Sequence, residues 1–242
     1  MQTRPAIASG LVHFGSGSTW GPGPGTYLYA VDSQTGQQQW KFKTGGRVAS
    51  SPIIAARLVY FGSYDGYLYA LDSQTGEERW KFKADGPVVS SPTVVDGIIY
   101  FGSHDSHLYA LDSQTGQTKW RFKTRFRVES SPAVAAGVVY FGSSDADFYA
   151  VDSQTGRGLW KFDTRSNVSS SPTIVEGVVY FGSLDFHLYA IQLPHNCDSC
   201  RKARGHGLNY AFIPWSSPKL SSPVATYGLW ILELLQNKDK SV

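Results

Sequence analysis

The chain has 242 residues, 41% hydrophobic and 17% charged, with a net charge of +3, which is the composition of an ordinary globular protein long enough to bury a core. Its 14 tyrosines, 13 phenylalanines and 7 tryptophans favour strands over helices, and the small positive balance is spread thinly, giving no reason to expect a nucleic-acid footprint. Two cysteines are too few to staple a domain of this size, and no stretch is long enough to span a membrane.

In chain order, Met1 to Gly10 lacks the charged and apolar regions of a secretory signal. The chain as given therefore reads as soluble, and its compartment stays open between the cytoplasm and an exported form without its signal. Pro5 stands nine residues before Phe14, as Pro52 stands before Phe61, so a strand pattern opens almost at once. Phe14 to Tyr29 then spans 15 steps where Phe61 to Tyr69 spans 8, so an insertion containing Trp20-Gly21-Pro22-Gly23-Pro24-Gly25 interrupts the first unit.

From there one unit recurs. Trp40, Trp80, Trp120 and Trp160 stand 40 residues apart, each with an Asp eight residues before it (Asp32, Asp72, Asp112, Asp152). In the copy from Ser90 to Lys123, turn chemistry separates four strand-like runs: Pro92–Val95, Ile98–Gly102, His107–Leu111 and Thr118–Lys123, here A to D. Asp96-Gly97 is a two-residue hairpin signal between A and B. Asp-Ser-Gln-Thr-Gly links C to D in all four copies, with Asp bonding back to turn amides and Gly taking the positive-φ position. Run D alternates Trp120 and Phe122 with Arg121 and Lys123, as a strand buried on one face should, whereas C is apolar on both faces and should lie deeper. One such blade cannot cover its own apolar faces, so blades must stack.

Leu68-Tyr69-Ala70-Leu71-Asp72-Ser73-Gln74-Thr75-Gly76 followed by Trp80-Lys81-Phe82 resembles the tryptophan-docking motif of the pyrroloquinoline-quinone-like (PQQ-like) repeat family, over roughly residues 4–191. The resemblance implies an all-β propeller of four-stranded antiparallel blades, in which Ala, Gly and Trp of neighbouring blades interlock. The family includes quinoprotein dehydrogenases, a lipoprotein that helps assemble outer-membrane barrels, and sensor domains fused to kinases, and it is often periplasmic or extracellular. Fold alone therefore leaves function open.

The repeat departs from its template after Ile191. Gln192 stands where Asp is expected, and the Gln-Thr-Gly turn is missing. Gly205-His206-Gly207-Leu208 is similar to Gly156-Arg157-Gly158-Leu159, so Tyr210 and Phe212 are expected to replace the Trp and Phe of strand D. Ser221-Ser222-Pro223 and Gly228-Leu229-Trp230 repeat the spacing of a blade start, and the rival reading is a short helix over Leu229 to Gln236. The expectation is about five blades plus a partial sixth, incomplete or open, with repeats over 1–191 and a divergent tail over 192–242. The ring either closes small, stays an arc, or is completed by missing sequence or another chain, as in a homo-oligomer.

B–C and D–A loops share one face, and that face varies between copies while the C–D turns do not. A protein or peptide partner is the leading expectation for it, with Trp20, Tyr64, Tyr67, His104, His107, Arg125, Phe126, Arg127, Phe186 and His187 as contact candidates, since aromatic and Arg side chains dominate interface hot spots. The rival explanation is loop drift after duplication. A sugar or other small ligand in the central channel is the second binding alternative. Asp65, Asp105, Asp145 and Asp185 recur in the B–C loops and are read as caps for backbone amides rather than as a cation ring. His104 and His107 have a spacing that suits a metal but no further ligands. The dehydrogenases the resemblance brings in are longer and use adjacent cysteines, a calcium site and a catalytic Asp. This chain has no adjacent cysteines, so a quinone-dependent oxidoreductase stands only as the alternative to a non-catalytic scaffold, and no quinone cofactor and no catalytic residue are assigned. His195, Cys197, Cys200 and His206 are candidate zinc ligands, with a disulfide or drift as the alternatives, because their spacing fits no standard finger and Arg201 stands where a haem-ligating His would follow.

Overall fold

A computed structural model of the chain describes residues 3–16, 26–193 and 210–214, and every regular element in them is a β-strand. The first unit supplies β1 (Ala6–Ala8), β2 (Leu11–Gly15), β3 (Tyr27–Asp32) and β4 (Gln38–Lys43). The second supplies β5 (Ile53–Ala55), β6 (Leu58–Gly62), β7 (Tyr67–Asp72) and β8 (Glu78–Lys83). The third runs β9 (Thr93–Val95), β10 (Ile98–Gly102), β11 (His107–Asp112) and β12 (Thr118–Lys123). The fourth comprises β13 (Ala133–Ala135), β14 (Val138–Gly142), β15 (Asp147–Asp152) and β16 (Gly158–Asp163), and the fifth β17 (Thr173–Val175), β18 (Val178–Ser183), β19 (His187–Gln192) and β20 (Tyr210–Pro214). Each unit is one four-stranded antiparallel sheet with its strands in chain order.

Turn chemistry fixes these blades locally. Asp96 and Gly97 have φ of 50° and 74°, the left-handed pair that a tight hairpin between right-twisted strands needs. Ala56 and Arg57 hold the same geometry at 48° and 67° without a glycine. In the C–D turn the amides of Gln114 and Thr115 both donate to Asp112 Oδ1 at 3.0 Å. A bulge beside Ala110 then sets Trp120 opposite Ala110 and Phe122 opposite Leu108. Strand D follows the expected alternation: Trp120 and Phe122 are half-buried, Arg121 and Lys123 exposed. The central residues of β11 are buried on both faces.

The hydrophobic cores lie between blades, not within them. Leu58, Tyr60, Leu68 and Ala70 of blade 2 pack on Ile99, Phe101, Tyr109 and Leu111 of blade 3, and equivalent residues join blades 1 and 2, 3 and 4, and 4 and 5. At the rim of three of the four junctions a tryptophan locks the pair. Trp80 Nε1 donates to Ser113 O at 3.1 Å, and its ring covers Gly116, where a Cβ would lie 2.7 Å from ring carbon. Trp40 on Gly76 and Trp120 on Gly156 repeat the lock.

The short first strands pack in succession from β1 through β5, β9 and β13 to β17, which places them innermost. The succession does not return, because β17 does not pack on β1 as neighbours along the series do. The described residues therefore form an open arc of five blades. Its end faces, Val12, Phe14, Tyr29 and Val31 on blade 1 and Val178, Tyr180, Leu188 and Ala190 on blade 5, are half-buried where their counterparts inside the arc are mostly buried.

Blade 5 differs from expectation in its last strand. Ala211 and Ile213, not Tyr210 and Phe212, stand opposite Ala190 and Leu188, the partners of Trp and Phe in the other blades. The reason is the missing bulge: pairing runs unbroken from Tyr210 to Pro214, so every residue is displaced by one. The residues expected to begin a sixth blade or a helix, from Ser221 to Gln236, lie outside the described residues.

Candidate functional site

The variable loops do share one face, held by hydrogen bonds that recur from blade to blade. The amides of Tyr64, His104, Ser144 and Leu184 donate to the carbonyls of Arg47, Pro87, Arg127 and Asn167, so each B–C loop leans on the D–A loop that enters its blade. Ser143 Oγ donates to Phe126 O at 3.2 Å and Ser183 Oγ to Ser166 O at 3.0 Å, fixing the tips of the D–A loops.

The repeated B–C aspartates are consumed by this scaffold. Asp105 Oδ2 accepts from the Asp85 amide at 3.0 Å and from Tyr109 OH at 2.8 Å, while Oδ1 accepts from the His107 amide at 3.0 Å. Asp65, Asp145 and Asp185 repeat the pattern with Tyr69, Tyr149 and Tyr189. Burial, then the carboxylate beside each hydroxyl, pushes all four tyrosine pKa values well above the usual phenol range.

Two clusters form on this frame. On the inner side, Arg47 stacks 4.0 Å over the Tyr64 ring and bonds its hydroxyl; Tyr64 meets His104 edge-on at 6.1 Å. His104 Nε2 lies 2.9 Å from Glu129 Oε1, off the line of a good hydrogen bond, and Arg127 reaches the same oxygen at 3.9 Å. Burial lowers the His104 pKa, with Glu129 pulling against it. On the outer side, Arg125 Nη2 at 3.1 Å and Lys161 Nζ at 2.8 Å converge on one oxygen of the fully buried Asp147.

The predicted contact residues are thus distributed rather than gathered into one patch. Tyr64, His104 and Arg127 belong to the inner cluster and Arg125 to the outer one. Tyr67 lies under Lys83, whose ammonium is 4.6 Å from its ring, and His107 and His187 each donate from Nδ1 to the carbonyl two residues back. His104 and His107 therefore serve different neighbours rather than one metal. Phe126 and Phe186 are exposed. Trp20, His195, Cys197, Cys200 and His206 lie outside the described residues, among which no group of three His, Cys, Asp or Glu could hold a metal ion. Sequence reasoning passed over Arg47, Glu129, Asp147, Lys161 and Leu184. Asp147 carried a signal, since it stands where the other blades place Tyr67, His107 and His187.

With this geometry in view, the family described as outer membrane protein assembly factor BamB matches residues 24–191. No curated protein matches. Among solved structures, BamB from Moraxella catarrhalis has a TM-score of 0.66 at 20% identity, covering 75% of this chain and 57% of its own. The computationally designed Ika8 protein has 0.67 at 18%, covering 77% and 56%. The quinohemoprotein alcohol dehydrogenase ADHIIG from Pseudomonas putida HK5 has 0.62 at 17%, covering 79% and 40%. The chain spans little more than half the length of the first two, and at these identities the likeness is one of fold.

Proposed function

This chain belongs to the outer membrane protein assembly factor BamB family of PQQ-repeat propellers, and on that premise we propose that it is a non-catalytic scaffold holding a protein or peptide partner on its variable loop face. One observation carries the reading: of the seven large apolar side chains exposed among the described residues, four (Tyr64, Phe126, Leu184 and Phe186) lie on this face. Arg47, Arg125 and Arg127 stand among them, and aromatic residues with Arg are the side chains that anchor interfaces. The family's description as an assembly factor supports a role exercised on other proteins, at an outer membrane. In the same proposal residues 1–191 carry the repeat scaffold and 192–242 form its divergent tail.

A photoreactive amino acid placed at position 126 is expected to cross-link a single protein partner in cells, and one at position 96, on the opposite face, to cross-link none. Adducts from position 96 alone would put the partner on the wrong face. Addition of the quinone with calcium is expected to leave a redox dye unreduced; dye reduction would replace the scaffold by an oxidoreductase.

A further inference from the structure

Blade 1 ends the arc with one half of a junction. A terminal repeat that serves as a cap turns a polar face outward. Blade 1 instead turns out Ile7, which is 70% exposed, and the half-buried Val12, Phe14, Tyr29 and Val31. Their equivalents in blade 2, Ile54, Val59, Phe61, Tyr69 and Leu71, are the residues that receive blade 1. Blades 3, 4 and 5 receive the blade before them in the same way.

The polar half of the lock is open on blade 1 as well. The Ser113 carbonyl accepts two bonds from blade 2, from Tyr60 OH at 3.0 Å and from Trp80 Nε1 at 3.1 Å, and the Ser153 carbonyl accepts the same pair from Tyr100 and Trp120. The Ser73 carbonyl takes His13 and Trp40. Ser73, Ser113 and Ser153 are buried in these contacts. Ser33 of blade 1 is exposed, and its carbonyl accepts no bond among the described residues. Gly36 has the φ of Gly116 and Gly156, 71°, yet nothing described lies within 4 Å of a Cβ placed there, whereas tryptophan carbon lies 2.7 Å from one at Gly76, Gly116 and Gly156. Only the innermost contact has no counterpart, since Arg4 stands where Ser51, Ser91, Ser131 and Ser171 accept the amide of the blade before.

What fits this surface is a blade of the same repeat, with a tryptophan on its last strand and a Tyr or His on its second. A second copy of the chain does not supply it. The face of the right hand that such a copy leaves free among the described residues is that of blade 5, where Ala211 stands opposite Ala190 in place of a tryptophan. A second copy is also too long. The match to this chain accounts for 57% of the Moraxella protein and 56% of Ika8, and at 40 residues per unit the rest of each is roughly three or four blades, fewer than five.

We propose that the free face of blade 1 is a docking socket for a short run of blades of this same repeat carried by another polypeptide. The tryptophan of that run's last strand seats on Gly36 and bonds the Ser33 carbonyl, while its apolar face covers Ile7, Val12, Phe14, Tyr29 and Val31. This surface is distinct from the variable loop face and stands or falls without it.

The test mixes the full chain with a separate probe, residues 50–169 of the same sequence, which ends in the blade of Trp160 and carries Gly76→Asn so that it does not dock on itself. Light scattering is expected to show a one-to-one complex. Trp160→Ala in the probe, and Gly36→Asn or Ile7→Glu in the full chain, are each expected to weaken it tenfold or more. Both changes to the full chain spare its fold, because Asn tolerates the left-handed region and Ile7 is exposed, so their melting temperatures match the parent's. An isolated probe can fail to fold, so the same residues 50–169 are also joined ahead of Thr3, in register with the repeat. In that fusion Gly36→Asn is expected to lower the urea midpoint, and in the unfused chain to leave it nearly unchanged. Equal effects of Gly36→Asn in the two chains, or a complex indifferent to Trp160→Ala, overturn the proposal. Absence of a complex with a folded probe overturns it too. Self-association of the full chain alone, abolished by Ile7→Glu, overturns it in favour of a second copy.

Discussion

Arg57 and Gly116 show how differently single residues serve the same scaffold. Arg57 occupies a hairpin position with φ of 67° that glycine fills at residues 10, 97, 137 and 177. Arg57→Gly is expected to stabilise the protein by about 0.5–1 kcal/mol, seen as a higher urea midpoint, by relieving left-handed strain. Gly116 has φ of 71° and also lies under the Trp80 ring, where a Cβ would sit 2.7 Å away. Gly116→Ala is expected to cost about 2 kcal/mol or more in the same assay, because strain and overpacking add. The sequence announces the glycine's first duty through Asp-Ser-Gln-Thr-Gly. Its second duty spans two blades and became legible only through the resemblance to the docking motif. The capping role of Asp105 was likewise readable from its recurrence in a turn, but its bond to Tyr109 was not, because it depends on how the loop folds over the start of β11.

The C–D turn is the element that ties this fold to pH. Its Asp72 is held at about 2, first by the hydrogen bond from Arg79 and then by the Thr75 amide. Asp32 and Asp112 are lowered chiefly by the Thr35 and Thr115 amides. For Asp152 burial pushes upward, but the Thr155 hydroxyl and the Thr155 and Gln154 amides outweigh it. Folded-state values below the unfolded one mean that this stabilisation is complete above about pH 3.9 and is lost as pH falls through the folded values. The urea midpoint is expected to drop steeply between about pH 4 and pH 2, and Asp72→Asn to make that drop shallower. The strands flanking these turns were legible to within a residue, because four internal copies repeat the same alternation. The fifth blade lacks the bulge, and residue types alone do not set the register of β20, so the expected Trp and Phe substitutes fell one position out.

At the scale of the molecule, four inter-blade cores join the five blades of the described residues, so each of these blades depends on its neighbours and on little else. A copy of residues 90–129 inserted after Glu129 is expected to fold, with a larger urea m-value and a midpoint no lower than the parent's, since every new junction repeats an existing one. A lower midpoint would show that blade order matters beyond nearest neighbours. Blade architecture was readable from the period; the open arc was only one of several expected outcomes, because closure depends on the small rotation between packed blades, which no single repeat encodes. The interchangeable Trp–Gly locks also bear on the gene. Misaligned recombination between the coding segments of blades 2, 3 and 4 removes or adds one whole blade and leaves matched junctions behind. The terminal blades stand outside that exchange, since blade 1 carries His13 where the others carry Tyr, and blade 5 carries Leu193 where the others carry the lock's Ser. Length in such a protein is inherited as a number of blades, and only its two ends are written once.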